Sequence, residues 1–222
     1  MRKNTNISTS VIRRLPRYYR YLKDLKEKNI LRISSRELSE KMGVTASQIR
    51  QDLNCFGEFG QQGYGYNIEL LFGEISRILG LDQKNKIILI GAGNLGRAIA
   101  THMDFGSKGF ELAAIFDNNE YVIGKKILGT EIRPNLDLGR FCVEEKPIAA
   151  ILCIPMDGLE ELINTLVSYG VKAFWNFAHF DMQVNRDDII VENVHLSDSL
   201  MILSYQIKTY LDEHNEQNND EV

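Results

Sequence analysis

The stretch Ile87-Ile88-Leu89-Ile90-Gly91-Ala92-Gly93-Asn94-Leu95-Gly96 decides the fold of this chain. Four apolar residues in a row, closed by glycine, predict a strand buried on both faces. Gly91, Gly93 and Gly96 take the G-x-G-x-x-G spacing, and Arg97-Ala98-Ile99-Ala100 continues as a helix with small residues on one side. The spacing is a weak signal alone; its place between a strand and a helix gives it content. Gly91 permits a tight turn, Gly93 clears a path for backbone N–H groups to a pyrophosphate, and Gly96 lets helix and strand touch. The next apolar run, 112–116, ends at Asp117, about 20 residues beyond Gly96. A carboxylate there accepts hydrogen bonds from adenosine ribose hydroxyls. Asn118 and Asn119 follow, with no arginine to neutralise a 2′-phosphate, which favours NAD+ and NADH over their phosphorylated forms. A ligand-free glycine turn, and another adenine-bearing ligand such as coenzyme A, are the alternatives.

Downstream, apolar runs at 148–154, 173–176 and 189–191 alternate with a helical pattern at 159–169. That order predicts an α/β domain with a doubly wound parallel sheet of Rossmann type over residues 81–195. Ser197 or Asp198 then caps a helix through Leu200, Leu203, Ile207 and Leu211, within a C-terminal segment 196–222. The last eight or so residues are polar and read as disordered.

Upstream, residues 1–80 read as a separate domain. Residues 1–12 form an arm, and Pro16 suits the first turn of a helix carrying Leu15, Tyr18, Tyr19, Leu22 and Leu25. A short strand at 31–33 precedes a second helix, capped by Ser34 or Ser35 with Glu37 in its first turn, and Gly43 closes it. Thr45 caps a third helix through Ala46, Ile49 and Leu53, and a glycine-rich stretch at 56–66 suits a hairpin. Helix, glycine turn, helix, hairpin is the order of a winged helix-turn-helix. Ser35, Thr45, Ser47, Gln48, Arg50, Gln51 and Asn54 supply amides, hydroxyls and a guanidinium suited to base edges and phosphates. Gln61 and Gln62 sit at a hairpin tip suited to a minor groove. The rival reading is a helical dimerisation module with a solvated polar face.

Charge separates the halves. Residues 1–80 hold 14 basic and 8 acidic side chains, and the rest hold 12 basic and 22 acidic. A basic front on an acidic body points to one polyanion-facing half. No apolar run approaches the roughly 20 residues of a membrane span, and the polar N-terminus lacks a signal-peptide core, so a cytoplasmic protein is expected. Cys55, Cys142 and Cys153 fit reduced thiols and neither a disulfide framework nor a metal site. Cys55 lies at the end of the third helix, where a redox role is the sharper alternative. No catalytic constellation surrounds His102, His179 or His195, although a small NAD-dependent dehydrogenase is the chief competing reading.

Taken in order, these motifs resemble the redox-sensing repressor family Rex over nearly the whole chain. The similarity rests on Ser34-Ser-Arg-Glu-Leu38, Val44-Thr-Ala-Ser-Gln-Ile-Arg-Gln-Asp-Leu53, Phe56-Gly57 through Gly63-Tyr-Gly-Tyr66, the glycine motif, Asn176-Phe-Ala178 and Val191-Glu-Asn-Val194. The resemblance implies a homodimer on palindromic double-stranded operator DNA, with the helix at 197–212 exchanged between subunits. It also implies that NADH closes the dimer and releases DNA, while NAD+ leaves it competent to bind. Ile154, Pro155 and Phe177, at strand ends, are expected to sense the oxidation state of the ring. The chain departs from the family pattern at three places. Gln51 stands where a basic residue is expected, and His102 and His195 stand where tyrosine and aspartate are typical. The aspartate would pair with Arg20, so His195 removes that attraction.

Overall fold

The computed structural model describes residues 7–56, 60–61, 64–178 and 189–220, with 60–61 and 215–220 described as backbone only. The chain divides into two units, Met1–Gln83 with Ser107–Gly109, and Lys84–Gly106 with Phe110–Val222.

The first unit contains α1 (Thr9–Glu27), β1 (Arg32–Ile33), α2 (Ser35–Met42), α3 (Ala46–Asn54), β2 (Gly60–Gln61), β3 (Gly65–Asn67) and α4 (Ile68–Ile78). Its small sheet has the order β1-β3-β2, antiparallel throughout. Leu15, Tyr18, Leu22, Leu38, Ile49, Leu53, Leu71 and Ile75 form one core drawn from all four helices. Helix α1 begins earlier than the periodicity predicts, and Pro16 lies inside it instead of at its start. Ser8 caps the helix, and Val11 and Leu15 are buried ahead of the proline. Burial of two such side chains contributes about 3–6 kcal/mol, which offsets the roughly 3 kcal/mol of an interior proline.

The second unit contains β4 (Asn85–Ile90), α5 (Asn94–His102), β5 (Phe110–Asp117), β6 (Lys126–Ile127), β7 (Thr130–Pro134), α6 (Leu138–Glu145), β8 (Ala149–Leu152), α7 (Leu159–Ser168), β9 (Ala173–Asn176), β10 (Ile190–Asn193) and α8 (Leu196–Asp220). The sheet order is β10-β9-β8-β4-β5-β7-β6, parallel except for the β6–β7 pair. Alternation along β4 explains why helices cover both faces. Ile88 and Ile90 join Phe116, Phe141, Leu159 and Leu166 on one side, while Ile87 and Leu89 join Ile99, Ala100 and Ile115 on the other.

Periodicity assigns nothing between Asp117 and Ile148, where the structure builds β6, β7 and α6. The strands are short, and Ile132 is the one buried residue of β7, so no alternating signal develops. At the C-terminus α8 runs to Asp220, beyond the apolar positions 200–211 that predict it. No glycine or proline interrupts 196–220, and extending a helix already nucleated costs little.

Candidate nucleotide cleft and recognition helix

Strand β4 is the point at which the sheet reverses, since β5 pairs with one of its edges and β8 with the other. In doubly wound sheets the crevice outside the strand ends at such a point holds ligands. A cleft of about 400 Å³ opens there, lined by Ile90 at the end of β4, Gly91 and Gly93 from the turn, Asp117 and Asn118 at the end of β5, and Ile154 and Pro155 after β8.

The three glycines stand in different surroundings. Gly91 has φ +97°, and a Cβ there would collide with the Cys153 carbonyl. A Cβ on Gly96 would collide with the Gly91 carbonyl. Gly93 has ordinary extended torsions, φ −69° and ψ −169°, and nothing lies within 4 Å of an added Cβ. The protein itself therefore gives no steric reason for glycine at 93, and the space over the turn is open. Gly93 is also the N-cap of α5 and offers no side-chain cap. The first N–H groups of α5, at Asn94, Leu95 and Gly96, lie beyond the reach of intrahelical carbonyls and suit an anion.

Asp117 is placed between two tasks. Its Oδ2 accepts the Ala92 N–H at 2.6 Å and its Oδ1 accepts the Asn119 N–H at 2.7 Å. The Arg97 Nε donates to the Ala92 carbonyl at 2.9 Å, so the Ala92 residue is clamped from both sides. A carboxylate accepting one bond at each oxygen retains lone pairs for two ribose hydroxyls. Asp157 also lines the cleft, and among the described residues no lysine or arginine lines it. Cys153 lines it too, with its thiol pushed up to about 12 by burial and therefore unreactive. Phe177 does not line this cleft; its ring packs edge-on against Trp175 at 4.7 Å.

In the first unit, Ser34 and Glu37 form a reciprocal capping box on α2, Gly43 ends it at φ 63°, and the Thr45 Oγ1 accepts the Gln48 N–H at 3.1 Å to start α3. Thr45, Ser47, Arg50, Gln51 and Asn54 are exposed on or beside α3. The Arg50 Nη1 donates to the Ser35 Oγ at 3.1 Å, which brings those two predicted contacts together. Gln48 departs from the expectation, because its Nε2 donates to the Asp52 Oδ1 at 2.8 Å. Gln61 lies in β2, and Gln62 falls outside the described residues.

Asp52 was not singled out by sequence reasoning. It is fully buried, and its carboxylate also accepts two bonds from Arg14 at 2.7 Å and one from the Tyr18 hydroxyl at 2.9 Å. Burial pushes its pKa up, but the bonds from Arg14, Gln48 and Tyr18 outweigh it and hold the carboxyl below the usual value. The signal in the sequence was an acid beside Leu53 and three residues after Ile49, on the apolar face of α3. This network ties the outer-face helix to α1.

Of the proposed gating residues, Arg20 is exposed on α1 and His102 is exposed at the end of α5. His195 lies between β10 and α8, and its carbonyl accepts the Asp198 N–H at 3.2 Å. Cys55 is exposed after α3. The motifs at 176–178 and 191–194 also acquire a reason. Asn176 and Asn193 are register partners in β9 and β10, their amides joined at 2.8 Å, while the Asn176 Oδ1 accepts the Ala178 N–H.

Among the described residues no helix is long and apolar enough to cross a membrane, and no group of side chains suits a metal. Family models match residues 6–54, as a putative DNA-binding protein N-terminus, and residues 82–180, as a CoA binding domain. A redox-sensing transcriptional repressor Rex of Clostridium novyi is 51% identical over 95% of this chain and 100% of its own length. One from Thermoanaerobacter pseudethanolicus is 54% identical over 93% and 92%. The crystal structure of RSP, a Rex-family repressor, in complex with NAD+ and operator DNA superposes with a TM-score of 0.85 at 52% identity, covering 95% of this chain and 97% of that one. RSP in complex with NADH gives 0.86 at 50% identity, covering 95% and 99%. With the glycine turn, the switch-point cleft and the outward face of α3 in place, this similarity across nearly the full length settles the assignment: the chain belongs to the Rex family of redox-sensing transcriptional repressors.

Proposed function

We propose that this chain represses transcription by binding operator DNA through α3 and releases it when NADH occupies the cleft above the glycine turn. The observation that carries the ligand assignment is Gly93, which leaves open space over the turn where an added side chain would meet no protein atom within 4 Å of its Cβ. Asp117 and Asp157 on the wall oppose a phosphorylated ribose, which favours NAD(H) over a 3′-phosphorylated coenzyme A, the ligand in the name of the family model matched at 82–180. Bound RSP supplies the analogy for both nucleotide states. On this reading the protein acts in the cytoplasm by binding alone, without turnover.

The acting species is a homodimer. Helix α8 leaves Leu200, Ile202, Leu203, Ile207 and Leu211 about half to two-thirds exposed, an apolar surface that suits a second copy. Two operator-reading helices then match a palindrome. Turning a dimer fully from one state to the other takes about 5.5 kcal/mol of differential binding, shared between two sites. Arg20, His102 and His195 set how far NADH achieves this. Thr45, Ser47, Arg50, Gln51 and Asn54 meet the DNA, joined by Gln61 and Gln62 farther along the chain.

The test is a gel shift on a palindromic duplex with NAD+ and NADH titrated separately. NADH should release the operator and NAD+ should leave it bound; retention at saturating NADH overturns the sensor reading. Asp117→Ala should blunt the response while sparing operator affinity. Arg50→Ala should instead weaken operator binding by about 1–3 kcal/mol, roughly 5- to 150-fold. Its NADH affinity, measured by calorimetry, should match that of the unmodified chain.

A further inference from the structure

Asn135 follows β7 directly, and the preceding residue, Pro134, is the register partner of Asp117. It forms part of the wall of the nucleotide cleft. Its Oδ1 is buried and has no hydrogen-bond partner. Asparagine in a turn usually caps the segment that follows, yet neither the short turn Asn135–Asp137 nor α6 receives a side-chain cap. The contrast with Asn176 is instructive, since both ends of that buried amide are engaged within the protein. Buried polar atoms without partners are rare in native structures and call for a ligand, a water or a mechanistic reason. An aliphatic side chain at 135 would line the cleft without that cost.

We propose that Asn135 reads the base of the bound dinucleotide and makes the site selective for adenine. The inference rests on the assignment of the cleft to NAD(H). Ile154, Pro155 and Leu162 supply apolar surface for the faces of a purine, and Asn135 stands beside Asp117, the carboxylate suited to the adjoining ribose. An asparagine amide matches adenine on two atoms, with Oδ1 accepting from the exocyclic amino group and Nδ2 donating to N7. The terminal torsion of asparagine is soft, so the amide turns into the cleft without leaving its rotamer well. Hypoxanthine carries a carbonyl in place of the amino group. On the N7 edge this leaves two adjacent acceptors, and the Oδ1 end of the amide then faces an acceptor whichever way it is turned.

Calorimetry on the full chain with NADH and with reduced nicotinamide hypoxanthine dinucleotide tests this. The unmodified protein should bind NADH about 10- to 100-fold more tightly than the hypoxanthine analogue. In Asn135→Leu the ratio should fall to near 1, chiefly through loss of NADH affinity, with Tm maintained. Asn135→Asp, which keeps an acceptor for the amino group, should keep part of the preference. A residue that merely shapes the cleft would weaken both ligands alike and leave the ratio unchanged, and that result overturns the proposal. Equal affinity of the unmodified chain for the two dinucleotides overturns it without any variant, while leaving the NAD(H) assignment standing. Binding of neither dinucleotide removes both.

Discussion

Gly93→Leu should abolish NADH binding in a protein that remains folded. The backbone at 93 suits any L-residue, and an added side chain meets no protein atom within 4 Å of its Cβ. The expected stability cost is under about 1 kcal/mol, a Tm shift of about 2–4 °C. The side chain would stand where the pyrophosphate must approach the first N–H groups of α5. NADH affinity should therefore fall at least about 100-fold, or ~3 kcal/mol. The operator should then stay bound at NADH concentrations that release it from the unmodified chain. Gly91→Ala and Gly96→Ala provide the contrast, because their new methyl groups strike the carbonyls of Cys153 and Gly91. Each should cost about 3 kcal/mol or more in folding stability. Thermal unfolding combined with calorimetry separates the two classes. If Gly93→Leu binds NADH normally, no ligand crosses this turn.

Asp52→Ala should cost the first unit about 3–5 kcal/mol. The buried carboxylate satisfies Arg14, Tyr18 and Gln48 together, so its removal strands a guanidinium and a buried hydroxyl at once. A domain with 5–15 kcal/mol to spare loses a large share of it. Operator binding should weaken severely, because this network holds α3 against α1, while NADH binding in the other unit should persist. Denaturant melts followed by CD, with NADH calorimetry beside them, check both halves. The pH dependence has a definite sign. The folded carboxyl lies below its ordinary value of 3.8, so its stabilisation is present above that pH and is lost as pH falls through the folded value. Between pH 5 and 8 the network should contribute a constant amount. An Asp52→Ala protein with unchanged stability would mean that the Arg14–Asp52 pair contributes no net folding free energy.

Much of the architecture was legible because local chemistry and the final environment agreed. Ser34 with Glu37, Gly43 and Thr45 punctuate α2 and α3 through bonds made within a few residues, and such bonds form wherever the chain folds. The run at 87–90 had to be a central strand because nothing in it tolerates water on either face. Legibility failed where long-range contacts outweighed local preference. Pro16 marks a helix start by its own chemistry, but burial of Val11 ahead of it carries α1 through. Gln48 reads as a base reader by residue type, and that reading gives no sign of the bond its Nε2 makes to Asp52.

The sequence alone determined the order of the two units, the glycine turn, the carboxylate that ends β5 and the capped pair of helices, since each is encoded within a short stretch of chain. Only the tertiary structure decided which side chains share a cleft, which polar groups are consumed internally, and which one is left without a partner. Asp52 and Asn135 make the distinction plain. Three of one residue's four bonds come from 34 and 38 positions away, and the other's lack of them is visible only once β8, β4, β5 and β7 lie side by side. Local bonding is written in spacing; satisfaction of a buried polar atom depends on every element that surrounds it.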